Sequence, residues 1–419
     1  VLLESGYGLV KSGASAGPRV VFFGLFGIGN FGNDASLEAA VAASRRLLPQ
    51  VPLMVVCGDP EIVGRRFEME AISMFPSRAN GRLRASRGLN RILYVLFERI
   101  PAEPAAWLRA FRILGRGDHL VVPGTGILDD FGTAPTSVPL ALVRWCVAAR
   151  LRRCRISFLS VGAGPIHNDH SRRLLTLAAR LAGYRSFRDR GSRDFMTDLG
   201  LDTRDDPVTP DLAFSLAKPT SGRAHAGDAA LTVGVGVMNY RGWLNRHGDD
   251  IYRVYVERMT DFVEWLLHSG YHVHLFTGDI IDGRSVRDVH ANVVQRNGNV
   301  RGRLGLDTEP ADSMELLLRQ ISNVDVVVAT RFHTVIGAAL CRRPVVAVGY
   351  EAKFDLLMEA LGLGGYCQRI ETLDVERLKR QFSDLVAEAE EATERLSLID
   401  SAYRAALEAQ YEQVLLAAR

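Results

Sequence analysis

Short, continuous apolar runs recur along this chain, and each is followed by a stretch patterned as a helix. RVVFFG from Arg19, VPLMVVCG from Val51, DHLVVPGTG from Asp118, RISFLSVGAGP from Arg155 and YRSFRD from Tyr184 read as strands. Helical patterns fall near 34–48, 137–151 and 171–182, with one more after the Tyr184 run. A second set follows: LTVGVGVMN from Leu231, HVHLFTG from His272, VDVVVAT from Val324 and RPVVAVGY from Arg343, with helices near 251–269, 313–322 and 334–341. Strands that are apolar on both faces must be covered on both faces, and strand–helix alternation does this with a parallel sheet. The fold class expected is α/β, with two similar parallel sheets facing one another. Ligands in such folds sit beyond the carboxyl ends of the strands.

Length supports the division. A chain of 419 residues exceeds one ordinary core and suits two domains of about 200 residues. The breaker-rich stretch KPTSGRAHAGDAA, 218–230, reads as the linker, so the domains are expected at 18–217 and 231–419. Residues 1–17 read as a frayed leader, and 374–419 as a helical tail without turn signals. The 51 basic residues nearly balance the 48 acidic ones, which argues against a nucleic-acid partner. Five scattered cysteines without a CxxC pair argue against zinc ribbons and disulfide frameworks and fit a reducing compartment. No signal-peptide core stands at the start, and no window approaches the ~20 apolar residues of a membrane span. The location expected is cytoplasmic.

Candidate chemistry concentrates in Val324–Lys353. Arg331 and His333 follow one buried strand and precede a helix of small apolar residues; Lys353 follows the next strand. A strand–helix–strand unit makes the two strands parallel neighbours, so both loops leave the sheet at one edge. Arg331, His333 and Lys353 therefore converge as a pocket for a small anion with an imidazole beside it. Taken singly, Arg331 and Lys353 would read as surface charges and His333 as a helix cap. Three together favour a site.

Matching loops close the strands of the first half. GLFGIGNFGND, Gly24–Asp34, carries four glycines between strand and helix, where a ligand could approach the backbone of Gly29 and Asn30; a plain tight turn is equally compatible. PGTGILDD, Pro123–Asp130, holds Gly124, Gly126 and Asp129; SVGAGPI, Ser160–Ile166, holds Gly162 and Gly164. Asp129 and Asp130 fit either sugar hydroxyls or a helix cap. Arg188 and Asp189 close a further strand, with Asp189 placed either to orient Arg188 or to form an ordinary surface pair. The cluster His167-Asn168-Asp169-His170 lacks further ligands at metal-site spacing, so no metal is assigned.

These segments together resemble the polysaccharide pyruvyl transferase family, from about Val20 to about Leu363. The resemblance rests on G-x-G-N-x-G, on P-G-x-G-x-x-x-D, on G-A-G-P-I, on R-D-x-x-S at Arg188 and on Pro210-Asp211. Above all it rests on R-F-H followed by P-V-V and Y-x-x-K. Two departures lie in the first half. Thr125 interrupts the usual glycine triplet, and Asn33 stands where an acidic residue is expected, with Asp34 one place later. The resemblance implies two Rossmann-like domains facing across a cleft, a GT-B-like glycosyltransferase architecture. The first domain would take the acceptor and the second the donor.

It also implies transfer of the pyruvyl group of phosphoenolpyruvate to a sugar of a cell-surface glycan or its precursor, forming a cyclic ketal. Phosphoenolpyruvate serves as donor substrate, and no cofactor is implied. Arg188, Arg331 and Lys353 would clamp it, with His333 as acid/base. The substrate-binding set implied alongside is Asp189, Gly29, Asn30, Gly124, Gly126, Asp129, Gly162 and Gly164. Two other functions fit the same fold. Glu351 and Glu359 share the E-x7-E spacing of retaining nucleotide-sugar glycosyltransferases, and a non-catalytic glycan-binding relative would keep the fold alone. Arg82–Arg116 mixes Leu, Phe, Trp and Arg. It reads either as a helical hairpin on the first sheet or as a peripheral contact with the inner face of the plasma membrane, reaching a lipid-linked oligosaccharide. The acceptor sugar, its hydroxyl positions and the oligomeric state are not specified by the residues.

Overall fold

A computed structural model describes residues 17–75, 100–219, 230–242, 248–297 and 305–417. The leader up to residue 16, the centre of the linker at 220–229 and the first part of Arg82–Arg116 lie outside these residues.

Six parallel strands form the first sheet: β1 (Val20–Phe23), β2 (Leu53–Cys57), β3 (Glu70–Ser73), β4 (His119–Pro123), β5 (Arg155–Val161) and β6 (Tyr184–Phe187). Their spatial order is β3-β2-β1-β4-β5-β6. The second sheet contains β7 (Thr232–Gly236), β8 (His272–Phe276), β9 (Leu306–Thr308), β10 (Val326–Ala329), β11 (Val345–Gly349) and β12 (Cys367–Arg369). Its order, β12-β11-β10-β7-β8-β9, is the same winding repeated. Each sheet reverses direction once, between β1 and β4 and between β7 and β10. Crevices open at the carboxyl ends of strands at such reversals.

The central strands are buried because their side chains leave no polar face. All four residues of β1 and of β10 are buried, and Val327 lies between Val345 and Gly234 in register. The helices of the first half are α1 (Phe31–Leu47), α2 (Pro60–Phe67), α3 (Ile100–Ile113), α4 (Val138–Leu151), α5 (Asp169–Leu181) and α6 (Arg190–Asp198). Those of the second are α7 (Gly248–His268), α8 (Gly283–Asn297), α9 (Met314–Ser322), α10 (Phe332–Leu340), α11 (Ala352–Ala360), α12 (Val375–Ala387) and α13 (Ala389–Tyr411). Short polar residues start several of them. Asn30 accepts from the N–H of Asn33 at the head of α1, and Asp59 accepts from Glu61 and Ile62 ahead of Pro60 in α2.

Strands β3, β9 and β12 and helices α2, α8 and α11 go beyond the sequence expectation. The three strands are edge pieces of three or four residues such as LDT and CQR, too short and too polar for an apolar run to mark them. Arg82–Arg116 contributes α3 within the described residues.

The tail is helical, as expected, in two pieces. It breaks at Glu388, and α13 ends in a π turn, Glu412–Leu416. Helix α13 reaches both halves: Arg395 Nη1 donates to Gly362 O at 2.7 Å in the second, and its far end meets the first sheet. Gln410 Oε1 accepts from Ser186 Oγ at 2.5 Å and Thr209 Oγ1 at 2.8 Å, and its Nε2 donates to Ser160 Oγ at 3.1 Å. The Tyr411 hydroxyl meets Ser215 Oγ at 3.2 Å, and Arg46 pairs with Glu408 at 2.6 Å. Buried polar groups that lose a partner cost about 1–3 kcal/mol. Gln410→Ala should therefore lower the urea midpoint of unfolding by the equivalent of about 1–3 kcal/mol. An unchanged midpoint would show that these bonds do not fasten the tail.

Candidate active site

Three side chains from separate parts of the chain meet where the two sheets face one another. Arg188 follows β6. Asp211 heads the 3-10 turn Leu212–Ser215, accepting from the N–H of Ala213 at 3.0 Å. His333 lies in the first turn of α10. Asp211 Oδ2 stands 3.3 Å from Arg188 Nη1 and 3.6 Å from His333 Nε2. All three are sequestered: the side chain of Asp211 is 3% exposed, that of Arg188 7% and that of His333 15%. Burial alone would raise the Asp211 carboxyl. The imidazole, the guanidinium and the Ala213 N–H outweigh it and hold Asp211 at about 2.

Two glycines make this meeting possible. A Cβ on Gly32, in the first turn of α1, would lie 1.8 Å from His333 Nδ1. A Cβ on Gly162, beyond β5, would lie 2.7 Å from the Arg188 guanidinium. Only a bare α-carbon lets the ring and the fork lie against the backbone there. Phe332 supplies a floor, with the Arg188 guanidinium 4.5 Å above its ring centroid and Lys353 Nζ at 5.8 Å.

Lys353 arrives from α11. Its Nζ pairs with Glu351 at 2.8 Å and lies 5.2 Å from the Tyr350 ring, which is tilted toward Tyr240 at 5.9 Å. Glu351 is thus engaged by Lys353. Arg331 is placed differently from an open anion clamp. Its Nε and Nη2 bind Asp282 at 2.8 and 2.6 Å, and its Nη1 lies 3.9 Å from Asp279. Burial works against the Arg331 charge, and Asp282 more than restores it. Desolvation raises Asp279 to about 6 despite Arg331.

The first-domain candidates divide into those at the cluster and those that build its frame. Gly29 and Asn30 touch the second half: the N–H of Ile280 donates to Gly29 O at 3.3 Å, and Asn30 bridges to Asp279. Gly124 packs on Ser36 of α1, and Gly164 on Phe195 of α6. Gly126 underlies Asp129, whose Oδ1 accepts from the N–H of Phe131 at 3.1 Å. Burial, opposed by Lys353 and Arg188, raises Asp129 to about 7. Asp130 instead ties its loop to the N–H groups of His167 and Asn168. Asp189 caps α6 through Ser192 at 2.6 Å and lies 3.6 Å from Arg188 Nε, so it both caps and faces the arginine. At the departures, Asn33 donates to Leu25 O and Asp34 accepts from the N–H of Gly27; both shape the glycine turn. Asn168 caps α5, and among the described residues no three His, Cys, Asp or Glu side chains are arranged to hold a metal.

Sequence reasoning assigned no role to Asp211, Gly32, Phe332 or Asp282. The first three lie inside motifs already singled out. Asp282 carries no local signal, because its importance comes from a partner 49 positions away.

Solved structures resemble this chain over nearly its whole length. The UDP-GlcNAc 2-epimerase from Neisseria meningitidis bound to UDP-GlcNAc superposes with a TM-score of 0.58 at 9% identity, covering 95% of this chain and 99% of that one. The S. aureus MnaA–UDP co-structure gives 0.55 at 12%, covering 91% and 90%. The lipopolysaccharide outer core galactosyltransferase WaaB in its apo form gives 0.51 at 13%, covering 94% and 99%. At such identities the likeness is one of fold: two Rossmann-like domains of the GT-B type. No curated protein matches the chain significantly. The sequence model of polysaccharide pyruvyl transferases matches residues 30–352, well over half the chain. The protein is a transferase, and it belongs to the polysaccharide pyruvyl transferase family. Among the described residues, no helix is long and apolar enough to cross a membrane.

The state of Asp211 has a thermodynamic consequence. Its folded pKa lies below the unfolded value, so its stabilisation is full above about pH 4 and is lost as pH falls toward about 2. Asp211→Asn should destabilise the protein on the order of 2 kcal/mol at neutral pH, judged by the size of the shift. In urea titrations the gap between the two proteins should close as pH drops from 4 to 2. A gap independent of pH would contradict an ionised Asp211.

Proposed function

We propose that this protein transfers the pyruvyl group of phosphoenolpyruvate to two hydroxyls of a sugar, as a cyclic ketal, and releases phosphate. The observation that supports this most is a pair of buried nitrogens at the sheet junction. Among the described residues neither Arg188 Nε nor His333 Nε2 has a hydrogen-bond partner, and the carboxylates that face them, Asp189 and Asp211, stand off at 3.6 Å. Buried polar groups are normally satisfied, and a small multivalent anion with a dissociable proton nearby suits both. Phosphoenolpyruvate offers a carboxylate and a phosphate on three carbons, so a fork, an ammonium and a helix start within one crevice match it. In this reading Arg188 and Lys353 hold the two anionic ends. The start of α10, which has no side-chain cap, adds backbone dipole.

His333 carries the proton, and Asp211 orients its ring and steadies its charge. Arg331, engaged by Asp282, acts as a fixed support for the loop bearing Asp279 rather than as a free clamp. The residues of the first-domain loops, Gly124 to Asp129 and Gly162 to Gly164, line the acceptor side. The acceptor is a sugar of a glycan or of its lipid-linked precursor.

The test is phosphate release from phosphoenolpyruvate with a panel of hexopyranosides. Release should depend on both compounds. His333→Ala should lower kcat by about 10²–10⁴-fold. Arg188→Ala should act mainly on the KM for phosphoenolpyruvate. Turnover of a UDP-sugar without any from phosphoenolpyruvate would replace this reading with a nucleotide-sugar transfer.

A further inference from the structure

We infer that Asp129 is a second proton-transfer residue of this site, working opposite His333, and not simply a contact for sugar hydroxyls. The inference rests on the pyruvyl-transfer reading above and deepens it. Asp129 lies in the loop after β4, which is laced to the loop after β5: the N–H of Leu128 donates to Gly162 O at 3.3 Å, and that of Gly164 to Leu128 O at 2.9 Å. Arg188 rests on that second loop at Gly162. The Asp129 carboxyl lies against bare backbone, with Oδ2 2.6 Å from where a Cβ of Gly126 would stand.

The charged groups that face it come from both halves of the molecule: Lys353 and Glu351 at the start of α11, and Arg188 after β6. Among the described residues, no Arg or Lys nitrogen lies within ion-pair distance of it. A carboxyl placed this way senses cations without being paired to one.

Its electrostatic state follows from that placement. Burial dominates and Glu351 adds to it, while Lys353, the Phe131 N–H and Arg188 only partly oppose them; the carboxyl is raised to about 7. Asp211, more deeply buried than Asp129, is nevertheless driven to about 2 by direct contacts. Two carboxyls near one arginine, one able to hold a proton at neutral pH and one ionised, are the arrangement by which a site divides acid from base.

The chemistry needs such a pair. Ketal formation makes two C–O bonds at C2 of phosphoenolpyruvate and one C–H bond at C3, and it breaks the C–O bond to phosphate. In the first half, His333 takes the proton of the attacking hydroxyl while Asp129 delivers its own to C3, which becomes the methyl. In the second half, His333 returns its proton to the departing phosphate, and the Asp129 carboxylate takes the proton of the second hydroxyl. Both residues end as they began. The two hydroxyl protons are found on the methyl group and on inorganic phosphate.

The experiment uses the full chain with phosphoenolpyruvate and the hexopyranoside that gives the fastest phosphate release. Asp129→Asn should lower kcat about 10²–10⁴-fold, while calorimetric binding of phosphoenolpyruvate stays within about threefold. Retained binding also shows that the variant is folded. Asp129→Glu should restore much of the rate. Because the donor must be protonated, wild-type kcat should fall as pH rises through about 7, and the residual Asp129→Asn rate should lack that limb. A near-wild-type kcat for Asp129→Asn, or an unchanged basic limb, would overturn the role of Asp129 alone. Failure of the wild type to release phosphate with any acceptor would instead overturn the pyruvyl-transfer reading, and this inference with it.

Discussion

The carboxylate of Asp211, shared between Arg188 and His333, is the contact on which this site depends. It joins the end of β6 in the first sheet to the head of α10 in the second. A buried carboxylate survives only with such partners. The partners in turn reach it only because Gly32 and Gly162 carry no side chains. The two doubly wound sheets bring their crevices together, and the Asp211 contact converts that proximity into a defined arrangement of charge. Phe332 completes it by holding Arg188 and Lys353 over one ring.

Around this centre, cations are distributed with their counter-charges already chosen. Arg331 is committed to Asp282, Lys353 to Glu351, and Arg188 to Asp211. Pre-placed pairs need little reorganisation around the anion proposed above, which is the general condition for electrostatic catalysis. Asp129 stands apart from these pairs, and that separation gives it a different protonation behaviour. The frame is closed at the back by α13, whose Gln410 bonds reach Ser160 and Ser186 in strands of the first sheet. The far end of the chain therefore braces the sheet that carries Arg188.

Much of the architecture was legible because it is written in local pattern. Runs such as VVFF and VVVA are apolar on both faces, and only a covered parallel sheet accommodates them. The edge strands escaped notice because LDT and CQR have neither the length nor the polarity pattern to declare themselves. The position of the candidate-site loops was also legible, since motif and strand end coincide at Arg188, His333 and Lys353. The pairing within the site was not. Nothing local tells Arg331 to bind Asp282, or Asp211 to lie beneath His333, because those choices are made by long-range packing. The helical character of the tail was legible for the same local reason, since its composition favours helix throughout; the division at Glu388 carries no local signal.

The central claim is that one small anion bearing a carboxylate and a phosphate is held at the junction of the two sheets. Hydrogen–deuterium exchange with and without phosphoenolpyruvate measures this directly. The account predicts slowed amide exchange in the segments around Gly162, Arg188 and His333 together, since the ligand would touch loops of both halves. No protection, or protection confined to loops of a single half, would contradict it.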